Sequence, residues 1–193
     1  MQKIRKIIIL KILLVLFGLS IAFGSQQLKD IWEIADIETK RLPPEIFSKL
    51  PSNIVIKLRA ENYTIPQTYT NLTPHNVIHG EFLKKGQIDW AVLCSRNRIS
   101  SIIIFWGGSE KNYSKISERP DKEYLQNIGN GKIGYSRIIS VAEKKFILDH
   151  YKAYGGLIPP NIEHEGIDDA FVGKGSIVHY YYKGKWLQLT GVD

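Results

Sequence analysis

The spacing of apolar positions changes repeatedly along the chain. Between Gln26 and Arg41, QQLKDIWEIADIETKR sets Leu28, Ile31, Trp32 and Ala35 at helical intervals, which predicts an amphipathic helix broken by Leu42-Pro43-Pro44. Two proline-led segments follow, EIFSKL and SNIVIKLRAEN. In the second, Ser52 is placed to cap a helix while Ile54-Val55-Ile56 suits a strand equally well; the helix is preferred. From Asn76 the pattern turns to β. VIHGEF, DWAVLCSR and SSIIIFWG are rich in β-branched and aromatic residues, and the turn-sized LKKGQI and NRI divide them into an antiparallel meander. The polar stretch from Gly107 to Asn130 reads as a long surface excursion, after which KIGYSRIISVA supplies a further strand. AEKKFILDHYKAYGG then aligns Ala142, Phe146, Ile147, His150 and Tyr154 on one side of a helix. Gly155-Gly156 provides its C-cap, and Pro159-Pro160 forbids continuation. A hairpin closes the chain, with SIVHYYY and KWLQL flanking the turn residues Lys183-Gly184. The expected class is therefore α+β, mainly antiparallel β-sheet (a meander and a C-terminal hairpin) with one or two packed helices.

The first residues obey a different rule. MQKIRKIIILKILLVLFGLSIAFG has the three parts of an export signal: basic Lys3, Arg5 and Lys6, an apolar run from Ile12 to Phe23, and small Ala22 and Gly24 before a cleavage point at Ser25. The competing reading is a retained anchor, since Ile7 to Phe23 is interrupted only by Lys11 and Ser20. A spanning helix wants about 20 predominantly apolar residues, and this run is short for that. The organisation expected is a signal peptide over 1–24, an N-terminal helix and linker over 25–44, and a single α+β domain over 45–193. Export places the protein in the periplasm or outside the cell; contact with the membrane follows only if the leader is retained.

Charge and cysteine content narrow the partners. The 193-residue chain carries a formal +7, but the leader holds four basic groups and no acid, so without it the charge falls to about +3. Nucleic-acid binding needs a concentrated basic face, and Lys84-Lys85 or Lys144-Lys145 are too short to form one. With Cys94 as the single cysteine there is no internal disulfide, so packing must hold an exported domain together.

The stretch GEFLKKGQIDWAVL resembles the FG-GAP or VCBS repeat of integrin-type β-propellers and many secreted bacterial proteins. Gly80, Phe82, Gly86, Asp89 and Ala91-Val92 fall on its pattern. The resemblance implies a hairpin whose loop holds calcium, with ligand positions at Glu81, Leu83, Lys85 and Asp89. Calcium takes about 6–8 hard oxygen ligands, whereas Leu83 offers none and Lys85 brings a positive charge, so the loop is expected to bind no metal. Gly80, Phe82, Gly86 and Asp89 keep the structural role of the hairpin. The residues after the leader, with one copy of the motif, are too few for a propeller of about four or more blades. DWAVLCSR, GKIGYSRIISVA and EHEGIDDAFVGKGSIVHYYYKGKWLQL also resemble a family of exported bacterial proteins, across most of residues 60–193, which brings no activity with it.

Candidate chemistry reduces to a few groups. Cys94 with His79, His164 or His179 could form a thiol hydrolase, but its place inside an apolar strand favours a buried structural thiol. His164-Glu165-Gly166-Ile167-Asp168-Asp169 is the densest set of ligand or acid–base groups and is expected in a loop after Pro159-Pro160. His164, Glu165, Asp168 and Asp169, with Tyr181 from the hairpin, are the ligand-binding candidates; a turn capped by Asp168 or Asp169 is the bland alternative. Strand alternation puts Tyr180 and Tyr182 on one face and Tyr181 on the other, so part of the aromatic set belongs to the core and part could offer a carbohydrate platform. No catalytic residue and no cofactor is assigned. The functional expectation is an exported binding or interaction module of the cell envelope, with a protein or carbohydrate ligand and no nucleic acid. The alternative is a metal-dependent or cysteine hydrolase using the His164/Asp168/Asp169 loop or Cys94.

Overall fold

The computed structural model describes residues 31–190. The leader and the first part of the N-terminal helix lie outside them. Two four-stranded antiparallel sheets dominate, confirming the α+β class rich in antiparallel sheet. Sheet I is the meander β3 (Val77–Gly80), β4 (Asp89–Arg96), β5 (Ile99–Phe105) and β6 (Tyr113–Pro120), in that spatial order. Sheet II runs in order β9 (Arg137–Ala142), β10 (Gly166–Phe171), β11 (Gly175–Tyr182) and β12 (Lys185–Thr190). Two short ribbons, β1 (Arg41–Leu42) with β2 (Ile65–Pro66) and β7 (Leu125–Asn127) with β8 (Ile133–Tyr135), complete the strands.

Period-two alternation of apolar residues makes both sheets two-sided, and each face finds its own cover. Ala91, Leu93, Ile102 and Ile104 of sheet I pack against Ile139 and Ile167 of sheet II, with Phe82 and Trp106 closing the seam. On the outer face of sheet I, Val92, Cys94, Ile103 and Phe105 meet Ile54 and Leu58 of helix α2 (Ser52–Ala60). On the outer face of sheet II, Ala142, Val178, Tyr180 and Leu189 surround Ile147 of helix α3 (Lys144–Tyr154). The layers are thus helix, sheet, sheet, helix.

Local chemistry sets the ends of these elements. The helix over 52–60 begins from Pro51, and Ser52 makes no capping bond; Ser52 is the first helical residue rather than the cap expected of it. Asn62 ends the helix in the left-handed region (φ 58°), its N–H reaching Arg59 O, as Asn tolerates. Asn97-Arg98 and Lys183-Gly184 all have positive φ, the type I′ geometry whose twist matches paired antiparallel strands. α3 stops at Gly155 (φ 74°), as its glycine pair predicted, but Phe146 and Tyr154 stand largely exposed and only Ile147 is buried.

Three expectations change. The surface excursion over 107–130 contains β6 and β7. Its polar character reflects an edge strand, whose Lys115, Glu118 and Arg119 face solvent while Ile116 packs inward. KIGYSRIISVA divides at Ser136 into β8 and β9; the Ser136 N–H donates to Tyr124 O and its carbonyl accepts from Val172 N–H. Within the expected linker, Arg41–Leu42 pairs with Ile65–Pro66, and the Arg41 guanidinium bridges Asp36 and buried Asp121. Residues 31–38, helix α1, are held to the domain by this bridge and by Arg98 on Asp36. No helix among the described residues is long and apolar enough to cross a membrane.

Candidate functional site

The stretch His164 to Asp169 is half loop and half strand. Gly166–Phe171 is β10, so Asp168 and Asp169 are neither loop ligands nor helix caps as expected. Adjacent positions on a strand face opposite sides, and these two aspartates diverge accordingly.

Asp169 points between the sheets. Its oxygens take a bidentate pair from Arg137, at 2.8 Å from Nε and 2.7 Å from Nη2. Ser117 Oγ donates to Oδ2 at 2.8 Å, and His179 Nε2 lies 3.5 Å away. Arg137 directs its remaining N–H groups to Ser100 Oγ at 2.9 Å and to the Ser117 carbonyl at 2.8 Å, beneath the Tyr124 ring. Ser117 adopts φ 55° in β6, a strained conformation for serine that turns both its carbonyl and its hydroxyl toward this centre. Burial opposes ionisation of Asp169, but the Arg137 guanidinium and His179 outweigh it and hold the carboxyl well below the usual carboxylate range. Its bonding capacity is filled.

Asp168 points the other way, toward α3. It is 9% exposed, Oδ2 is 3.4 Å from Ser140 Oγ, and Oδ1 has no partner among the described residues. Burial raises its pKa, opposed by the hydroxyl of Ser176 and the imidazole of His150 beside it. Ser176 stands on the same face of sheet II, opposite Ala170, and its Oγ lies 3.4 Å from His150 Nε2. Here α3 and the β10–β11 hairpin enclose a groove of about 520 Å³. Phe146, His150 and Tyr154 form one wall at i, i+4 and i+8, with centroids 5.9 and 5.1 Å apart. The β10–β11 turn from Ala170 to Ser176 forms the other wall; the Phe171 ring, on the opposite face of β10, packs on Tyr124 at 5.6 Å with Lys174 Nζ 4.2 Å from its centre. Among the described residues Asp168 bonds to neither imidazole nitrogen. Ser176, His150 and Asp168 therefore form no nucleophile relay, which needs the acid on the far side of the imidazole.

The other candidates are occupied elsewhere. His164 stacks on Tyr180 with centroids 4.4 Å apart, and its Nδ1 lies 2.8 Å from Glu165 O. Glu165 accepts the Glu81 N–H at 2.8 Å, clamping the end of β3. That clamp explains Gly80, where a Cβ would sit 2.5 Å from Glu165 Oε2 and 3.0 Å from the Phe82 ring. Tyr181, taken for a ligand contact, is packed with Trp106 and Trp186 at 5.2 and 5.4 Å, in the seam between the sheets. Tyr180 and Tyr182 do face the opposite side, toward α3. Cys94 is fully buried against α2, and burial pushes its thiol well up, away from thiolate.

In the β3–β4 loop, Asp89 Oδ2 accepts the N–H groups of Phe82 and Leu83 at 3.1 and 2.8 Å. Its Oδ1 takes Gln87 Nε2 and the Gly107 N–H, each at 2.7 Å. The loop does not fit calcium: Asp89 is saturated by N–H donors, and Leu83 and Lys85 stand where oxygens would be needed. Among the described residues, no three His, Cys, Asp or Glu side chains gather as metal ligands.

A second groove of about 520 Å³ lies along β3, between Phe47, Val77, His79 and Trp90. Among the described residues, it has no buried polar atom with spare bonding capacity. His150 and Ser176, the groove residues missed at the sequence level, left only an indirect signal in the aligned spacing of Phe146, His150 and Tyr154. Compared with known proteins, the chain matches no family model, no curated protein and no solved structure.

Proposed function

We propose that this protein is an exported binding module of the cell envelope, periplasmic or secreted, whose ligand seat is the groove between α3 and the β10–β11 hairpin. The observation that carries the reading is the contrast in bonding capacity. Asp169, Asp89 and Glu165 are occupied by internal contacts, while the groove is lined by Ser176 and His150, in a long 3.4 Å contact, and by two exposed aromatic rings, on the sheet face that also carries the buried Asp168, whose Oδ1 has no partner among the described residues. Concave sites with a few polar groups among apolar walls are the common form of ligand seats. The leader supports export, and the FG-GAP-like hairpin, with Asp89 filling the metal's structural place, supports an extracytoplasmic setting.

Two measurements test it. Fractionation with N-terminal sequencing is expected to recover the protein outside the cytoplasm, beginning at Ser25. Hydrogen exchange with and without a cell-envelope fraction is expected to protect residues 144–154 and 170–176; protection confined to other segments would sink the groove reading. The competing cysteine hydrolase requires a reachable thiolate. Rapid reaction of a thiol probe with Cys94 in the folded protein would favour it over the binding module.

A further inference from the structure

We propose that helix α1 and the loop tip at Leu72 seat this domain on the surface of a lipid bilayer, independently of the groove under α3. A helix on the surface of a folded domain normally turns its apolar face inward. α1 does the reverse. Asp36 is buried, its carboxylate taking Arg41 at 2.8 Å and Arg98 at 3.2 Å, and Glu33, one turn before it on the same side, pairs with Arg98. Ile31, Ile34 and Ile37, at i, i+3 and i+6, are left in water, Ile34 at 50% and Ile37 at 63% exposure. The helix is held to the domain by ion pairs through its acidic side and presents isoleucine outward.

The stripe does not stand alone. A cleft of about 350 Å³ separates α1 from residues 67–72, with Ala35 and Glu38 on one side and Tyr69, Leu72 and Ile128 on the other. Ile31 shares that side of the helix with Ala35 and Glu38, at i, i+4 and i+7, so the stripe continues into the rim of the cleft. Leu72, at the loop tip between Asn71 and Thr73, is 95% exposed. Three observations point to lipid as what covers these residues. The apolar run Ile12–Phe23 is separated from α1 only by residues 24–30, and as an export leader it brings this end of the domain to a bilayer, cleaved later or not. Trp32 and Tyr69, both partly exposed, are the ring types that settle at headgroup level. Exposed Lys40 and Lys132 stand beside the patch against Glu38, which suits anionic headgroups. A bilayer also takes in protruding side chains without a matching surface, whereas a helix and a loop tip divided by a cleft would demand one of a protein.

Environment-sensitive fluorophores on single introduced cysteines test the assignment, in the full chain mixed with vesicles of phosphatidylethanolamine and phosphatidylglycerol. Cys94 is fully buried and does not compete for the label. Labels at Ile34→Cys and Leu72→Cys are expected to shift to shorter wavelength and to be quenched by nitroxide-bearing lipid. A label at Lys85→Cys, in the loop that enters β4 at the end opposite Arg96, is expected to stay in water. A leader held in the bilayer does not by itself carry residue 72 into lipid. Ile34→Asp together with Ile37→Asp, changes at exposed positions that leave the fold intact, is therefore expected to abolish the shift at residue 72. Labels at 34 and 72 that stay in water overturn the proposal, as does a label at 85 that enters lipid equally or a shift at 72 that survives both aspartates. Shifts that need an envelope protein extract rather than lipid vesicles assign the patch to a protein partner and overturn it too.

Discussion

Asp168 and Asp169 are neighbours on one strand, yet their side chains meet opposite surroundings. Asp169 enters a centre where Arg137, Ser117 and Ser100 satisfy every donor and acceptor they can reach. Asp168 enters the space under α3, where, among the described residues, one oxygen has a long contact to Ser140 and the other has no hydrogen-bond partner. The difference separates two uses of a buried carboxylate. A saturated one ties elements together, here β6, β9 and β10 across the sandwich. One with spare capacity lowers stability.

The largest effect is expected at the saturated centre. Arg137→Ala leaves Asp169 buried with only Ser117 and His179 beside it, and should lower stability by about 3–5 kcal/mol in urea denaturation. The same centre predicts the acid response. The pKa of Asp169 is lower folded than unfolded, so its stabilisation is present above the ordinary aspartate range and is lost as pH falls below about 4. Stability plotted against pH should flatten in that window when Arg137 is removed.

Asp89→Ala comes next. It strips partners from the N–H groups of Phe82, Leu83 and Gly107 and should cost about 2–3 kcal/mol. Neither EDTA nor excess calcium should move the wild-type melting temperature; a shift of several degrees would show a metal at Glu81 and Asp89 after all.

Asp168→Asn should go the other way. A folded-state pKa raised above the unfolded one means that ionisation opposes folding, so the wild type is destabilised above the ordinary aspartate range and not below it. The variant should be more stable by about 1 kcal/mol at neutral pH, with the gain vanishing below about pH 4. A loss of stability at neutral pH would erase the contrast between the two aspartates. Smallest of all, Tyr154→Ala should stay within about 0.5 kcal/mol of wild type, because an exposed ring on the last turn of α3 holds nothing in place.

Much of the fold was legible from local pattern. The meander, the α3 helix with its glycine stop and the C-terminal hairpin follow from periodicity and turn chemistry, both of which act over a few residues. β6 was not legible. An edge strand buries only part of one face and protects its free edge with charge, so its residues read like a loop. The candidate site was half legible. Asp168 stood out by composition, but His150 lies 26 residues before Ser176 in the chain and is brought beside it only by the packing of α3 on sheet II.

By itself the sequence determined the fold class, the hairpins, the lack of a ligand oxygen at Leu83 and Lys85, and the opposed faces of Tyr180 and Tyr181. All of these rest on the identity of a residue or the alternation of near neighbours. Only the tertiary structure decided that Asp169 is a structural tie and Asp168 a group with a free oxygen. It did so because that difference comes from partners distant in the chain, Arg137 and Ser117 for one, His150 and Ser140 for the other, and no local pattern specifies which of them a strand will meet.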